Sequence, residues 1–281
     1  MRFDDAVRVS AWRWIFLAAG LLAAGAMPTA ASDPEPFDPV AGLIGRDVDW
    51  VPTPPALLEK MLDMAGLKPS DYVIDLGSGD GRNVIAAAKR GAHGHGIEFN
   101  PKLVALSRRN AERQGVAGRV RFYQGDMVEA DLSQADVMPL FLMDENLAQL
   151  LPRLRTLKAG TRIVNNGFEI PGWDYDEIGT VEGGCGVWCT AYLYIAPAQV
   201  EGVWHTADGA VLTLRQDFQW ITGTLAADGE AEPVLGRVTG KDIRLLVGLA
   251  RVEGSIEGGV MTGAVREGGV SRAFTAQRIR R

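Results

Sequence analysis

Three glycines and two acids lie close together in one short segment of the chain. Gly77, Gly79 and Gly81 form a G-x-G-x-G turn. Asp75 precedes this turn and Asp80 lies within it. Glycines allow a backbone to approach a ligand closely and to adopt positive φ angles. Two carboxylates would repel the pyrophosphate of a dinucleotide, whereas they would attract a ligand that carries positive charge. The residue types at this turn therefore predict a binding site for a cationic ligand.

A ligand of this kind is S-adenosylmethionine, which carries a sulfonium and an α-ammonium group. Glu98 lies at the end of the next predicted strand, about 20 residues after the turn, where a carboxylate can accept both ribose hydroxyls. Asp126 follows a third predicted strand and is placed to accept the adenine amino group. An exposed strand-end acid and a turn aspartate are the alternative interpretations of these two residues. The predicted cofactor contacts are Asp75, Gly77, Ser78, Gly79, Asp80, Gly81, Glu98, Phe99, Asp126 and Met127.

Short apolar runs predict the elements that hold the turn. Residues 72–76 are expected to form a buried parallel strand, and residues 82–90 a helix with an alanine-rich face. A preceding helix is predicted to begin near Pro54, with Thr53 as its N-cap and Gly66 after its last turn. Strand, glycine turn and helix together are the context that a nucleotide-type binding turn requires.

Alternating strands and helices continue along the next part of the chain. Further strands are predicted at residues 94–99, 119–124, 136–143 and 161–165, with helices at 101–114 and 146–157 and a hairpin at 178–182 and 187–195. Pro139 removes a ladder hydrogen-bond donor, so the strand that contains it should be irregular or bulged there. This order predicts an α/β fold with a Rossmann-like, seven-strand sheet of the class I methyltransferase type. Substrate is then expected beyond the carboxyl ends of the strands.

Several motifs resemble those of one family of methyltransferases. They are Val51-Pro-Thr-Pro54, Val73-Ile-Asp-Leu-Gly-Ser-Gly-Asp-Gly81, Asp144-Glu-Asn-Leu147, Leu151-Pro-Arg-Leu154 and Gly160-Thr-Arg-Ile-Val164. Together they resemble the archaeal and mitochondrial protein-lysine methyltransferases, which act on many lysines or on membrane-embedded carrier and rotor subunits. The resemblance extends over about half of the chain.

The resemblance implies an enzyme that methylates ε-amino groups of a protein partner with an accessible lysine. It also implies that the residues near the methyl donor are Trp50, Pro52, Thr53 and Asn146. The chain departs from the family at residues 137–141 and 165–168, which are expected to lie at the substrate. No catalytic base stands out. Trp50 or Trp173 is placed either to hold an ammonium group by cation–π contact or to pack in the core.

Residues 200–281 have a different pattern from the predicted methyltransferase domain at residues 50–197. Apolar and polar residues alternate over short runs that are separated by glycine-rich turns. This pattern predicts a small antiparallel β domain, either a meander or a barrel. Gly202-Val-Trp204 is similar to the opening of lipocalin-like barrels. We expect this part to be an accessory domain for partner recognition or for stability.

The first 31 residues have the pattern of a secretory signal peptide. Three arginines precede an apolar run at residues 14–27, and small residues follow it, so cleavage after Ala31 is expected. The apolar run is shorter than the roughly 20 residues that a membrane span needs. The protein is therefore expected to be exported to the periplasm, or anchored near a membrane by this segment. It would be cytosolic if the segment does not act as a signal. Residues 32–49 are predicted to be a linker.

Charge and cysteine content argue against two further kinds of site. The net charge of -6 and the pI near 5.2 argue against a broad nucleic-acid-binding surface. Cys185 and Cys189 are the only cysteines and have no histidine nearby in the sequence, so no metal site is predicted. The two cysteines form either a disulfide in an oxidising compartment or a pair of reduced thiols.

Three functions compete at this point. The first is an enzyme that methylates protein lysines. The second is an exported binding protein that keeps the fold without catalysis. The third is a methyltransferase that acts on small molecules. The intact acids and glycines of the turn favour the first.

Overall fold

The computed structural model of the 281-residue chain describes residues 37–43 and 49–279. The predicted signal peptide at residues 1–31 lies outside the described residues, as does most of the predicted linker at 32–49. From Phe37 onward the described residues form one compact unit. A sheet flanked by helices and a barrel can each be recognised in this unit.

A seven-stranded sheet forms the first part of the described chain. Its strands are β1 (Tyr72–Leu76), β2 (His93–Glu98), β3 (Val120–Gln124), β4 (Val137–Leu140), β5 (Arg162–Asn166), β6 (Glu177–Thr180) and β7 (Thr190–Ile195). They lie in the order β3-β2-β1-β4-β5-β7-β6. Neighbours are parallel from β3 to β5, and β7 is antiparallel to both β5 and β6. The predicted seven-strand α/β sheet is thereby confirmed, including its terminal hairpin.

The helices of the described residues are α1 (Pro55–Met64), α2 (Arg82–Lys89), α3 (Pro101–Arg113) and α4 (Asp144–Leu154). α1 begins one residue later than predicted, because Pro55 disfavours helical backbone at the residue before it and Pro54 has a ψ of 136°. Pro54 therefore occupies the N-cap position, and Thr53 is a buried residue before the helix rather than its cap. Among the described residues, no helix combines the length and the apolar composition that would let it cross a membrane.

β4 is shorter than predicted and shows no bulge at Pro139. It pairs with β5 in continuous register from Val137 to Leu140, but its register with β1 is limited to Val73. β1 and β4 remain neighbours in the sheet beyond this pair, and Pro139 has no N–H with which to continue a ladder. Its carbonyl accepts a hydrogen bond from Nδ2 of Asn83 on α2, at 3.2 Å. Of the two predicted outcomes, a bulge is absent and an irregular pairing with β1 is present, at the point where the strand order reverses.

The rest of the described chain forms an antiparallel barrel. Its strands are β8 (Gly202–Thr206), β9 (Val211–Asp217), β10 (Trp220–Ala227), β11 (Glu230–Thr239), β12 (Asp242–Val247), β13 (Ala250–Glu257), β14 (Val260–Glu267) and β15 (Val270–Arg278). The barrel closes where β15 pairs with β8. Apolar side chains fill its core, among them Trp204, Val238 and Met261, which are fully buried. The expected small β domain is confirmed as a barrel, while the domain limits at residues 50–197 and 200–281 stay predictions.

Phe218 joins the barrel to the sheet. Trp173, from the connection between β5 and β6, stacks on it with ring centroids 4.6 Å apart. The guanidinium of Arg155, directly after α4, lies 3.7 Å from the centroid of the Phe218 ring. Both aromatic residues are buried in the apolar cluster of the sheet. Trp173 is therefore a packing residue, which was one of its two interpretations.

Asp176, whose side chain is 10% exposed, forms a second junction between the two parts. Oδ2 of Asp176 accepts a hydrogen bond from the Ile195 amide of β7 at 2.7 Å. Its Oδ1 forms a salt bridge with Arg237 of β11 at 2.6 Å. One carboxylate thus links an edge of the sheet to the barrel wall.

Phe218→Ala is expected to lower the free energy of unfolding by about 3 kcal/mol, because truncating a buried aromatic residue removes apolar burial and leaves a cavity. Leu249→Ala is the matched control, since Leu249 is 88% exposed. Its effect should stay within about 0.5 kcal/mol. Denaturant unfolding followed by circular dichroism measures both. If the two variants unfold with the same free energy, Phe218 does not join the barrel to the sheet.

Candidate functional site

A cavity of about 280 Å³ lies at the carboxyl ends of β1, β2 and β4. Strand order reverses between β1 and β4, and ligands of open α/β sheets bind at such a point. The sequence-predicted residues that line this cavity are Trp50, Pro52, Thr53, Asp75, Gly77, Ser78, Gly79, Asp80, Glu98, Phe99, Asp126 and Met127. Gly81 and Asn146 are the predicted residues that the structure places outside its lining.

Asp75 lies near the carboxyl end of β1 and is 2% exposed. Burial raises the pKa of its carboxyl well above the usual value. A hydrogen bond from Asn83 opposes this shift, and the charges of Glu98 and Asp80 add to it. No basic side chain of the described residues is among the groups that act on this carboxyl. A positively charged ligand would supply the missing charge.

Asp80 differs from Asp75, because Arg82 already neutralises it. Nη2 of Arg82 lies 2.7 Å from Oδ2 of Asp80, and Nη1 donates to the carbonyl oxygen of Thr53 at 3.0 Å. The guanidinium also lies 6.0 Å from the ring centroid of Trp50. Sequence reasoning assigned both acids the same role and did not identify Arg82. The structure shows that Asp80 and Arg82 hold the segment before α1 against the glycine turn.

Glu98 ties the turn to the neighbouring strand and helix. Its Oε2 accepts a hydrogen bond from the Gly79 amide at 2.9 Å. Its Oε1 accepts one from the Asn100 amide, before α3, at 2.8 Å. Each carboxylate oxygen keeps a second lone pair, and the residue lines the cavity. The carboxylate is therefore placed to accept hydroxyl groups of a ligand, and its ribose role stays a prediction.

Two glycines of the turn are required by different neighbours. A Cβ on Gly79, whose φ is +53°, would lie 2.3 Å from Nε1 of Trp50. A Cβ on Gly81, whose φ is +83°, would lie 2.7 Å from Cζ of Phe122 on β3. Gly79 therefore allows Trp50 to close over the turn, whereas Gly81 allows the turn to pack against the sheet. Gly81 does not line the cavity, and its close neighbours lie in the core, so a cofactor contact there stays a prediction.

Asn146 and Asp126 also differ from the expectations. Asn146 is 2% exposed on the buried face of α4, which it shares with Leu147 and Leu150. Asn146 does not line the cavity of this structure, and its position near the methyl donor stays a prediction. Asp126 lines the cavity and also accepts a hydrogen bond from the Val128 amide at 2.9 Å. Asp126 is therefore a turn aspartate that also lines the cavity.

Three aromatic residues that sequence reasoning did not identify line another part of the cavity. Phe141 follows β4, Phe168 follows β5 and Trp188 precedes β7. The ring of Trp188 lies 5.0 Å from that of Phe141 and 5.5 Å from that of Phe168, measured between centroids. We call these three residues the aromatic wall. Two of them stand in the segments that depart from the family pattern, and that departure is the signal that could have identified them.

A disulfide between Cys185 and Cys189 encloses Trp188 in the loop before β7. Of the two interpretations of these cysteines, the cross-link is the one that the structure contains. It closes a short segment whose aromatic residue faces the cavity. The disulfide is therefore part of the architecture of this wall.

Acids and aromatic residues divide the cavity along the sheet. Asp75, Glu98 and Asp126 come from β1, β2 and the segment after β3, whereas the aromatic wall comes from the ends of β4, β5 and β7. In the observed strand order, the acids belong to one side of the β1–β4 opening and the aromatic wall to the other. A cationic ligand with a sugar fits the first side. An alkyl amine fits the second.

Comparisons with known proteins agree with this arrangement. The ANTKMT methyltransferase domain family matches residues 75–177. The protein-lysine N-methyltransferase of Saccharolobus islandicus is 40% identical over 151 residues, which are 53% of this chain and 93% of that protein. A lysine N-methyltransferase of Homo sapiens, named for a subunit of ATP synthase, is 36% identical over 176 residues, which are 62% of this chain and 74% of that protein.

A solved structure shows a similar fold. The crystal structure of an RNA methyltransferase from Salinibacter ruber, in complex with S-adenosyl-L-homocysteine, is 41% identical to this chain with a TM-score of 0.50. The match covers 53% of this chain and 96% of that chain. Sheet, glycine turn and acids therefore define a class I S-adenosylmethionine-dependent methyltransferase.

The chain belongs to the family of protein-lysine N-methyltransferases that includes the Saccharolobus protein. Its family match ends at residue 177, before the barrel begins at Gly202, so the identification rests on the sheet and its cavity. The residues present fit S-adenosylmethionine, because Asp75 is a buried acid without a basic partner among the described residues. Glu98 adds hydrogen-bond acceptors at the cavity wall.

Gly79→Ala is expected to weaken the binding of S-adenosylmethionine at least tenfold, or about 1.4 kcal/mol. The new Cβ would displace Trp50, and alanine is strained at the positive φ of this position. Gly118→Ala is the control, because a Cβ there meets nothing within 4 Å. Isothermal titration calorimetry measures both affinities, and circular dichroism confirms that both variants fold. Equal affinities would show that the turn and Trp50 do not form the cofactor site.

Proposed function

We propose that the protein transfers the methyl group of S-adenosylmethionine to lysine ε-amino groups of a protein. One observation carries this proposal: the acids and the aromatic wall line one continuous cavity. The acids suit a cationic methyl donor, and the aromatic wall suits an alkyl amine. The relatives from Saccharolobus islandicus and Homo sapiens are both named as lysine N-methyltransferases, which supports the same acceptor here.

Methyl transfer depends mainly on the positions of the methyl donor and the acceptor amine. S-adenosylmethionine, when bound, supplies a methyl group on a positively charged sulfur. The acceptor amine must reach that methyl group in line and without its proton, so orientation and desolvation are the contributions of the protein. The aromatic wall provides apolar surroundings that favour a neutral amine over an ammonium. Among the described residues that line the cavity, no histidine, lysine or tyrosine is present, so carboxylates are the groups there that could accept a proton. The acids described above belong to the cofactor side of the cavity, and the structure singles out no base for the acceptor amine.

Charge favours a protein amine over RNA as the acceptor. The Salinibacter structure is described as an RNA methyltransferase, so RNA is the alternative acceptor. RNA binding relies on basic side chains that neutralise phosphates. Arg82 is the one basic residue among the described residues that line the cavity, and Asp80 already pairs with it. The net charge of the chain is -6, which also disfavours a phosphate backbone.

We further propose that the protein acts outside the cytosol, or at a membrane through its N-terminal segment. The arginine-led apolar start of the sequence supports this proposal. The disulfide supports it as well, because such bonds persist in oxidising compartments. Mass spectrometry of the purified protein tests it. A mature chain that begins at Ser32 agrees with export, whereas an uncleaved chain found in the soluble cytosol contradicts the proposal.

Transfer of isotope-labelled methyl groups to a protein extract of the source cells tests the enzymatic proposal. Half of the extract is left untreated, and half has its lysines acetylated, since an amide nitrogen is not nucleophilic. We expect label in the untreated half, at lysine residues identified by mass spectrometry, and loss of that label after acetylation.

RNA and small-molecule fractions of the same cells serve as parallel acceptors. Label confined to RNA would replace the proposal by RNA methylation. Label confined to the small-molecule fraction would replace it by small-molecule methylation. Absence of label together with absence of heat on mixing with S-adenosylmethionine would favour a binding protein without catalysis.

A further inference from the structure

Residues 181–189 connect β6 to β7 and bring Trp188 to the cavity. The amide of Trp188 donates to the carbonyl of Cys185 at 2.9 Å, and the amide of Val181 donates to the carbonyl of Cys189 at 3.0 Å. Cys185 is 3% exposed. These bonds and the buried sulfur anchor both ends of the loop.

The indole of Trp188 rests directly on the backbone after β5. A Cβ on Gly167 would lie 2.9 Å from Cε3 of the indole. The indole also contacts the rings of Phe141 and Phe168. If the indole left this position, only Phe141 and Phe168 would remain of the aromatic wall.

The loop that carries Trp188 is rich in glycine. Gly183, Gly184 and Gly186 have φ angles of +73°, +68° and +59°, and glycine loses more conformational freedom on ordering than other residues. Val187 is 84% exposed and contributes no packing. The disulfide closes a short loop that contains Gly186, Val187 and Trp188, whereas Gly183 and Gly184 precede it. The cross-link therefore restrains the backbone that carries the indole, in addition to the contacts of the indole with Gly167, Phe141 and Phe168.

We propose that Trp188 determines binding of the acceptor amine and that the Cys185–Cys189 disulfide positions it, so that acceptor binding depends on the redox state of this loop. The inference rests on the proposed lysine methylation. The oxidised loop presents Trp188 beside Phe141 and Phe168, and the three rings enclose the alkyl chain of the amine. They also hold its methylated, positively charged product by cation–π contact.

Reduction releases this restraint. A dithiol reductant supplies two electrons and two protons, the sulfur–sulfur bond breaks, two thiols form and the dithiol becomes a disulfide. Gly183, Gly184 and Gly186 then allow the loop to leave the cavity. The acids on the other side of the opening come from β1, β2 and the segment after β3, so the cofactor side keeps its structure.

Steady-state kinetics on the full chain test the role of Trp188, with the labelled lysine-containing extract protein as acceptor. Trp188→Ala should lower kcat/KM for the acceptor about tenfold or more, mainly through KM. The Kd for S-adenosylmethionine should stay within about twofold of the unmodified protein. Trp188→Phe should restore part of the loss, because it keeps an aromatic ring. Val187→Ala, in the same loop, should leave kcat/KM unchanged.

The disulfide is tested by adding dithiothreitol and by the double variant Cys185→Ser/Cys189→Ser. Both should raise KM as Trp188→Ala does, and the double variant should no longer respond to dithiothreitol. An unchanged kcat/KM in Trp188→Ala overturns the role of the indole. If Trp188→Ala also weakens the binding of S-adenosylmethionine to the same extent, the aromatic wall contacts the cofactor and not the acceptor. A reduced protein with unchanged KM overturns the positioning role of the disulfide.

A spectroscopic readout separates this inference from the proposed function. The indole N–H signal of Trp188 in a nuclear magnetic resonance spectrum can be assigned from its absence in Trp188→Phe. It should move on reduction of the unmodified protein and stay in place in the double cysteine variant treated with dithiothreitol. If the Trp188 signal does not move on reduction, the disulfide does not position Trp188, even if lysines are methylated. A failed proposed function appears differently, as absence of lysine labelling by the unmodified, oxidised protein.

Discussion

One buried negative charge, the carboxylate of Asp75 at the end of β1, governs the organisation of the site. A buried carboxylate without a basic partner is unfavourable, and burial accordingly raises its pKa. Arg82, the basic residue of the cavity lining, is held by Asp80 and by the Thr53 carbonyl instead. Asn83 provides a hydrogen bond but no charge. The site therefore leaves a negative charge for a cationic ligand to balance, and ligand affinity is coupled to ionisation of this carboxyl.

The strand order places the acids on one side of the cavity and the aromatic residues on the other. The order of strands reverses between β1 and β4. The carboxyl ends of β1 and β2 and the segment after β3 carry acids, and the segments next to β4, β5 and β7 carry the aromatic wall. A methyl donor and a methyl acceptor require such unlike surroundings next to each other, since one is a cation and the other must be a neutral amine. The barrel packs against the sheet through Phe218 and Asp176, outside the cavity lining.

Local signals made the fold and the acids of the site predictable. The glycine turn, the strand-end acid and the alternating pattern of the barrel each depend on residues close together in sequence. Contacts between distant segments were not predictable. Arg82 reaches Thr53 from another element, and Trp173 pairs with Phe218 of the barrel. Trp188, rather than Trp173, therefore lines the cavity. Nothing in its own sequence neighbourhood distinguishes it, because its position depends on how β4, β5 and β7 are ordered.

Proton release on binding of S-adenosylmethionine shows whether the Asp75 carboxyl ionises when the cofactor enters the cavity. It is obtained from calorimetric titrations at about pH 5 in buffers of different ionisation enthalpy, above the ordinary aspartate pKa of about 3.9. Burial raises the pKa of the Asp75 carboxyl, and a bound cation favours its ionised form, so binding is expected to release a proton. We predict net proton release by the unmodified protein and its disappearance in Asp75→Asn. Binding without proton release, or equal release by both proteins, would contradict the account.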